Sequence, residues 1–80
     1  VAPTGVSPIK EAQACLARGD NACAVAALAG KARSARELEL LIETHRSMGN
    51  QSKAWDVMRT YLERFPDEKR AEGYRRTLGQ

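Results

Sequence analysis

The sequence predicts an all-α fold of five helices, arranged as two antiparallel hairpins followed by a C-terminal capping helix. Three observations lead to this prediction. Apolar residues recur at three- and four-residue steps over five separate stretches. Glycine or proline stands at the end of each of the first four stretches. No stretch alternates apolar and polar residues over the length of a strand, so we expect no sheet.

The first two predicted helices form a short hairpin. Ser7 is a suitable N-cap for the first helix, and Gly19 ends it because glycine readily adopts the left-handed conformation of a helix C-cap. Asp20 or Asn21 is expected to cap the second helix, which Gly30 closes. The apolar positions of the two helices are Ile9, Ala12, Cys15 and Leu16, then Cys23, Ala24, Ala27 and Leu28.

The third and fourth predicted helices form a second hairpin. Ser34, followed three residues later by Glu37, is a capping-box pattern that marks the start of the third helix. Gly49-Asn50 ends this helix, Ser52 is expected to help cap the fourth, and Pro66 ends the fourth. The expected inward positions are Leu38, Leu41, Ile42, His45 and Met48, then Ala54, Trp55, Met58, Tyr61, Leu62 and Phe65.

The ends of the chain complete the predicted organisation. Asp67 is expected to cap a fifth helix from Glu68 to Leu78, with Ala71, Tyr74 and Leu78 facing inward. Residues 1–7 contain Pro, Gly, Thr and Ser without a periodic apolar pattern. We therefore predict a linker at residues 1–7 and one helical domain at residues 8–80, as part of a longer protein.

Size and charge bound the possible functions. The chain has 80 residues, which make at most one small domain. Its 13 basic and 10 acidic residues are interleaved, whereas a nucleic-acid binder usually gathers its basic residues on one face. No apolar run approaches the roughly 18 residues that span a bilayer. We expect neither a nucleic-acid partner nor direct insertion into a membrane.

Few residues could carry chemistry. His45 is the only histidine, and we interpret it as a packing residue rather than a general base or metal ligand. A structural zinc site needs four ligands, whereas the sequence offers two cysteines and this one distant histidine. We therefore expect no enzymatic activity, no catalytic residue, no metal site and no cofactor.

The two cysteines lie four residues on either side of Gly19. A hairpin that turns at this glycine brings Cys15 and Cys23 opposite each other, within the Cα separation that a disulfide requires. The alternative is that both are small buried residues with free thiols. A disulfide would indicate an oxidising compartment, such as the bacterial periplasm, whereas free thiols would be compatible with the cytoplasm.

The sequence of the two hairpins indicates a repeat. Their turns, at Gly19 and Gly49, are thirty residues apart and are followed by similar residues. The second unit resembles the tetratricopeptide repeat, although Ile42 stands where that family has a small residue and His45 where it has tyrosine. The first unit fits less well, with Glu11 where leucine is expected. The positions that carry the resemblance are Leu38, Leu41, Ile42 and His45, then Ala54 and Met58, then Tyr61 and Pro66.

The resemblance implies a protein–protein interaction module or scaffold, similar to C-terminal repeat regions of bacterial envelope and signalling proteins. Such repeats bind a protein or peptide on a concave face lined by the first helix of each unit. Glu39 and Glu43 would repel the terminal carboxylate that one subclass binds, so a basic or mixed-charge segment is expected. Self-association is the main alternative, and nucleic-acid binding a weaker one. The implied partner-binding residues are Gln13, Arg36, Glu39, Glu43, Arg46 and Ser47, with Arg70 and Tyr74 on the capping helix.

Overall fold

The computed structural model describes residues 8–79, and five α-helices account for most of this range. Residues 8–79 contain no strand, so the predicted all-α class is confirmed. The predicted linker at residues 1–7 and the Ser7 cap lie outside the described residues, as does Gln80. The helices are α1 (Pro8–Ala17), α2 (Asn21–Leu28), α3 (Ala35–Ser47), α4 (Gln51–Arg64) and α5 (Lys69–Leu78).

Contacts between the helices support the two predicted hairpins. Helix α1 packs on α2 and α3 packs on α4, each pair being joined by a turn of three residues. So short a connection makes consecutive helices antiparallel neighbours. Gly19 and Gly49 stand in these two turns with φ angles of 75° and 78°, a left-handed conformation that glycine adopts without steric cost. Helix α3 also contacts α1 and α2, and α5 contacts α4.

Two of the predicted helix starts are confirmed. Ser34 and Glu37 form a capping box, because the Glu37 amide donates to Ser34 Oγ (3.2 Å) and the Ser34 amide donates to Glu37 Oε1 (3.0 Å). The backbone hydrogen bonds to Glu37 lower the pKa of its carboxyl group. Asp20 caps α2, since its Oδ1 accepts from the amide of Cys23 at 3.0 Å.

The other two predicted caps are wrong. The first helical hydrogen bond of α4 joins the amide of Ala54 to the carbonyl of Asn50, so Asn50 is the N-cap and Ser52 lies inside the first turn. Before α5 the amide of Glu68 donates to the carbonyl of Phe65, which places Asp67 inside that turn and makes Glu68 the N-cap. Neither N-cap side chain makes a capping hydrogen bond.

Two hydrophobic clusters form the core, one centred on each hairpin. Most of the predicted inward positions are buried or half-buried. Met48 is the exception, with 39% of its surface exposed, because it is the C-cap of α3 and the chain turns away there. The larger cluster contains Leu38, Ile42, Ala54, Met58, Tyr61, Ala71 and Tyr74, and the smaller one contains Ala12, Cys15, Ala24, Ala27, Leu28 and Leu41.

Helix α5 covers the open side of the second hairpin, as predicted for a capping helix. Its Ala71 and Tyr74 are buried in the larger cluster. The ring of Tyr74 meets that of Tyr61 edge-on, with centroids 5.0 Å apart. On the outer side of α5, Lys69 and Glu72 are exposed to solvent. A polar outer face of this kind is typical of the terminal helix of a repeat stack.

Candidate partner-binding face

One pocket of about 180 Å³ is lined by residues of α1, α3 and α5. All of its lining residues belong to these three helices, and we call this surface the odd-helix face. Two of the lining residues, Ile9 and Leu40, are apolar and half-buried, and the others are polar or charged. The lining residues are Ile9 and Gln13 from α1, Arg36, Glu39, Leu40 and Glu43 from α3, and Arg70 from α5.

Five of the residues implied by the family resemblance therefore come together around this pocket, and three do not. Arg46 is exposed beside it and pairs with Glu43 at 3.7 Å. Ser47 is exposed at the end of α3. Tyr74 is only 5% exposed and packs in the larger cluster, so it offers little surface to a partner. The five residues at the pocket are Gln13, Arg36, Glu39, Glu43 and Arg70.

Glu39 is held by residues of its own chain. The buried hydroxyl of Tyr61 donates to Glu39 Oε2 at 2.7 Å, and Arg70 Nε lies 3.4 Å from Glu39 Oε1. Burial and this hydrogen bond raise the pKa of Tyr61, which therefore stays protonated as the donor. The contact links the pocket to the core of the second hairpin. It joins residues 22 positions apart, and the sequence pattern gave no signal for it.

Arg36 is a charged residue of the pocket whose side chain is exposed to solvent. Within residues 8–79 its guanidinium group makes no ion pair or hydrogen bond, and the exposed side chain of Gln13 makes none either. The carboxylate of Glu43 is half-exposed, and its 3.7 Å pair with Arg46 is a loose surface pair that contributes little to stability. As far as residues 8–79 show, the pocket thus presents an unpaired cation, an accessible anion and two apolar side chains.

The hydroxyl group of Tyr74 lies in the core close to this charged cluster. It has no hydrogen-bond partner among the described residues. Burial raises the pKa of Tyr74, and the nearby guanidinium group of Arg70 offsets part of that rise. The phenol is therefore neutral at physiological pH.

A second pocket, of about 190 Å³, lies beside Trp55, and sequence reasoning did not find it. Trp55 is half-buried against the larger cluster, and Thr77 of α5 lines the same pocket. The tryptophan is thus partly buried at its predicted inward position. Its remaining exposed surface is small for a binding anchor, so we base no function on it.

His45 is buried, with 6% of its surface exposed. Its Nδ1 atom has no hydrogen-bond partner among the described residues. Burial lowers the pKa of His45, and the positive charge of Lys53 lowers it further. The imidazole is therefore neutral at pH 7. Within residues 8–79, no three histidine, cysteine, aspartate or glutamate side chains are grouped so as to hold a metal ion.

The structure pairs Cys15 with Cys23 as the predicted disulfide requires. Their sulfur atoms are at bonding distance and their Cα atoms are 5.6 Å apart, within the usual range for a disulfide. Cys15 is buried as predicted, but Cys23 is only half-buried because it lies in the first turn of α2. The bond ties the end of α1 to the start of α2.

Comparisons with family models, with curated proteins and with solved structures found no match to this chain. Among the described residues no helix is long and apolar enough to cross a membrane. The functional interpretation therefore rests on the geometry of the chain itself.

Proposed function

We propose that this chain is a protein–protein interaction module, similar to a pair of tetratricopeptide repeats, that binds a peptide segment on the odd-helix face. The observation that carries the proposal is the composition of this pocket. Helices α1, α3 and α5 line it together, whereas α2 and α4 contribute no lining residue. A repeat of helical hairpins builds a continuous surface of this kind from the first helix of each unit.

The charges of the pocket favour a partner segment of mixed charge. Arg36 has no partner within residues 8–79 and would pair with an acidic side chain. Glu43 is half-exposed and would pair with a basic one, after exchange of its loose contact with Arg46. Ile9 and Leu40 add apolar surface to the same pocket. Glu39 takes no part in this recognition, because it is already bound to Tyr61 and Arg70.

The proposal can be tested with peptides selected from a random library for binding to this chain. Fluorescence anisotropy would then measure the dissociation constants of the selected peptides for the parent chain and for its variants. Arg36→Glu and Glu43→Lys are each expected to weaken the selected peptides about 10-fold, which corresponds to about 1.4 kcal/mol. Glu63→Lys is the matched control, since Glu63 is exposed on α4 away from the pocket. An equal loss of peptide affinity in all three variants, or no loss of affinity in any of them, would contradict the proposed site.

Charge reversal at Glu39 does not serve as a test. That substitution would remove the acceptor of the Tyr61 hydroxyl and leave a buried donor unsatisfied, at a cost of about 1–3 kcal/mol. Weaker binding by such a variant would reflect damage to the second hairpin. Glu43 is free of this complication, because among the described residues its ion pair is with the exposed Arg46.

Self-association is the second candidate, and the composition of α2 favours it. Its sequence, NACAVAAL, is apolar almost all round, yet Ala22 and Ala26 are exposed to solvent. A helix of this composition is typically buried on more than one side. Light scattering over a range of concentrations distinguishes the candidates: a monomer that binds the selected peptides supports the first, and a concentration-dependent mass supports the second.

The disulfide is relevant to the cellular compartment in which the module works. We propose that the module works in an oxidising compartment, such as the bacterial periplasm, as a part of an envelope or signalling protein. The support is the Cys15–Cys23 bond, since disulfides are rare where thiols are kept reduced. Thiol trapping in intact cells, followed by a mass measurement, would show whether the bond is present where the protein resides.

A further inference from the structure

We propose that the Cys15–Cys23 disulfide is a thiol-exchange site, which an anionic low-molecular-weight thiol attacks at Cys23. The inference is independent of peptide binding on the odd-helix face. It rests on three features of the first hairpin: unequal exposure of the two cysteines, an open cleft beside them and an uncompensated positive charge at the sulfur atoms.

The two cysteines of the disulfide differ in exposure. Cys15 is 4% exposed, whereas Cys23 is half-buried. A broad cleft of about 420 Å³ lies along the outer side of α1 and α2, and both cysteines line it. A thiol that enters the cleft therefore reaches Cys23 first. The lining residues are Glu11, Ala14, Cys15, Arg18, Cys23, Ala26, Ala27 and Lys31.

A positive charge lies against both sulfur atoms. Arg18 Nη2 is 3.5 Å from Cys23 Sγ and 3.9 Å from Cys15 Sγ. Within residues 8–79 Arg18 makes no ion pair, so its charge is not neutralised by a carboxylate contact. A cation close to sulfur stabilises a thiolate and lowers the pKa of the thiol. Arg18 thus stabilises whichever sulfur carries the charge when the bond opens.

The surroundings of Cys23 reinforce this effect. Cys23 lies in the first turn of α2, where the helix dipole stabilises negative charge. The carboxylate of Asp20 acts in the opposite direction, but its Oδ1 accepts a hydrogen bond from the Cys23 amide and is directed to the backbone. Lys31 adds a second positive charge to the cleft and Glu11 one negative charge. The cleft therefore carries a net positive charge, which attracts an anionic thiol.

The reaction balances as an ordinary thiol–disulfide exchange. An external thiolate attacks Cys23 Sγ, a mixed disulfide forms, and the electron pair of the Cys15–Cys23 bond leaves on Cys15 Sγ. A second external thiolate then attacks the sulfur that the first external thiol contributed to the mixed disulfide, and the thiolate of Cys23 leaves. Two external thiols are oxidised to one disulfide, and the protons they lose are taken up as the two cysteines become thiols.

The test follows the reduction of the oxidised chain by glutathione, with free thiols trapped by a maleimide and counted by intact mass. We expect reduction of the folded chain, with Arg18→Gln slowing it roughly 3- to 10-fold, because the leaving thiolate loses its cation. Arg18→Lys retains the charge and should restore most of the rate. Arg59→Gln is the matched control, since Arg59 is exposed on α4 and should leave the rate unchanged.

Lys31→Gln tests the role of the cleft. This variant should slow reduction by glutathione, which is anionic, and leave reduction by the neutral 2-mercaptoethanol unchanged. Circular dichroism during the reaction shows that the chain is folded while it reacts. The proposal is overturned if glutathione reduces the bond only after urea has unfolded the chain. It is also overturned if Arg18→Gln and Arg59→Gln react at the same rate.

Discussion

The two hairpins share a topology but are held together by different means. In the first, α1 and α2 meet mainly through small residues such as Ala12, Ala24 and Ala27, supplemented by a disulfide. In the second, α3 and α4 meet through Leu38, Ile42, Met58 and Tyr61. Large side chains bury more apolar area, and each contributes about 1.5–3 kcal/mol when it leaves water.

Helix length sharpens the contrast. Helices α1 and α2 have 10 and 8 residues, whereas α3 and α4 have 13 and 14. Isolated helices below about 12–15 residues are marginal in water, so the first hairpin depends on its contacts and its covalent bond. We infer that the same hairpin topology is stabilised by side-chain volume in one case and by a cross-link in the other.

Tyr61→Ala should have the largest effect. Tyr61 is completely buried and contacts both Phe65 and Tyr74, so its truncation should lower the free energy of unfolding by about 3–5 kcal/mol. Tyr61→Phe is the control, because it keeps the ring and removes only the hydrogen bond to Glu39, for about 1 kcal/mol. Urea titration measures both. A loss below about 1.5 kcal/mol for Tyr61→Ala would refute the view that large side chains hold the second hairpin.

Removal of the disulfide should act mainly on the first hairpin. The double variant Cys15→Ala with Cys23→Ala is expected to lose about 2–3 kcal/mol, because the cross-link closes a short loop in the unfolded chain. Hydrogen exchange should show faster exchange of the amides of α1 and α2 than in the parent chain. Protection of the α3 and α4 amides should change less. Uniform loss of protection in all helices would instead mean that the hairpins unfold as one unit.

The helix caps offer a matched pair of smaller effects. Ser34→Ala should cost about 1 kcal/mol, because it opens the capping box at the start of α3. Asn50→Ala should change the free energy of unfolding by less than about 0.5 kcal/mol, since Asn50 makes no side-chain capping hydrogen bond. Thermal or urea unfolding of the two variants makes the comparison. Equal losses would show that the observed capping hydrogen bonds do not determine helix stability here.

The pH dependence of stability should show the smallest effect. The folded chain lowers the pKa of His45 below its ordinary value of 6.5, so the unfolded chain binds more protons just below that pH. The free energy of unfolding should therefore fall as the pH drops below 6.5. Glu37, with a pKa lowered from 4.5, adds a separate loss in more acidic solution. His45→Gln should remove the slope between about pH 5 and 7. An unchanged slope would exclude His45 as its source.

Much of the fold follows from local pattern. The periodicity of apolar residues predicted all five helices, and the Ser34–Glu37 spacing predicted the capping box. The symmetric placement of Cys15 and Cys23 about Gly19 predicted that a disulfide could form. These features involve residues close together in the chain, so that turn geometry and helical spacing determine them.

The wrong predictions concern positions whose structure depends on geometry beyond the local sequence pattern. Ser52 and Asp67 are good capping residues, but the preceding turns place other residues at the N-cap positions. Met48 fits the apolar spacing of α3 but lies where that helix ends. The hydrogen bond from Tyr61 to Glu39 joins two helices and depends on how they pack, which no spacing rule reveals. This contact connects Glu39, an expected recognition residue, to the core of the second hairpin.

Amide chemical-shift mapping would show directly whether a peptide segment binds to the proposed odd-helix face. A library-selected peptide would be titrated into the isotopically labelled chain, whose 80 residues make each amide resolvable. We expect the changes in amide chemical shift to concentrate in α1, α3 and α5, around Gln13, Arg36 and Glu43. Shifts centred on the outer sides of α2 and α4 would contradict it.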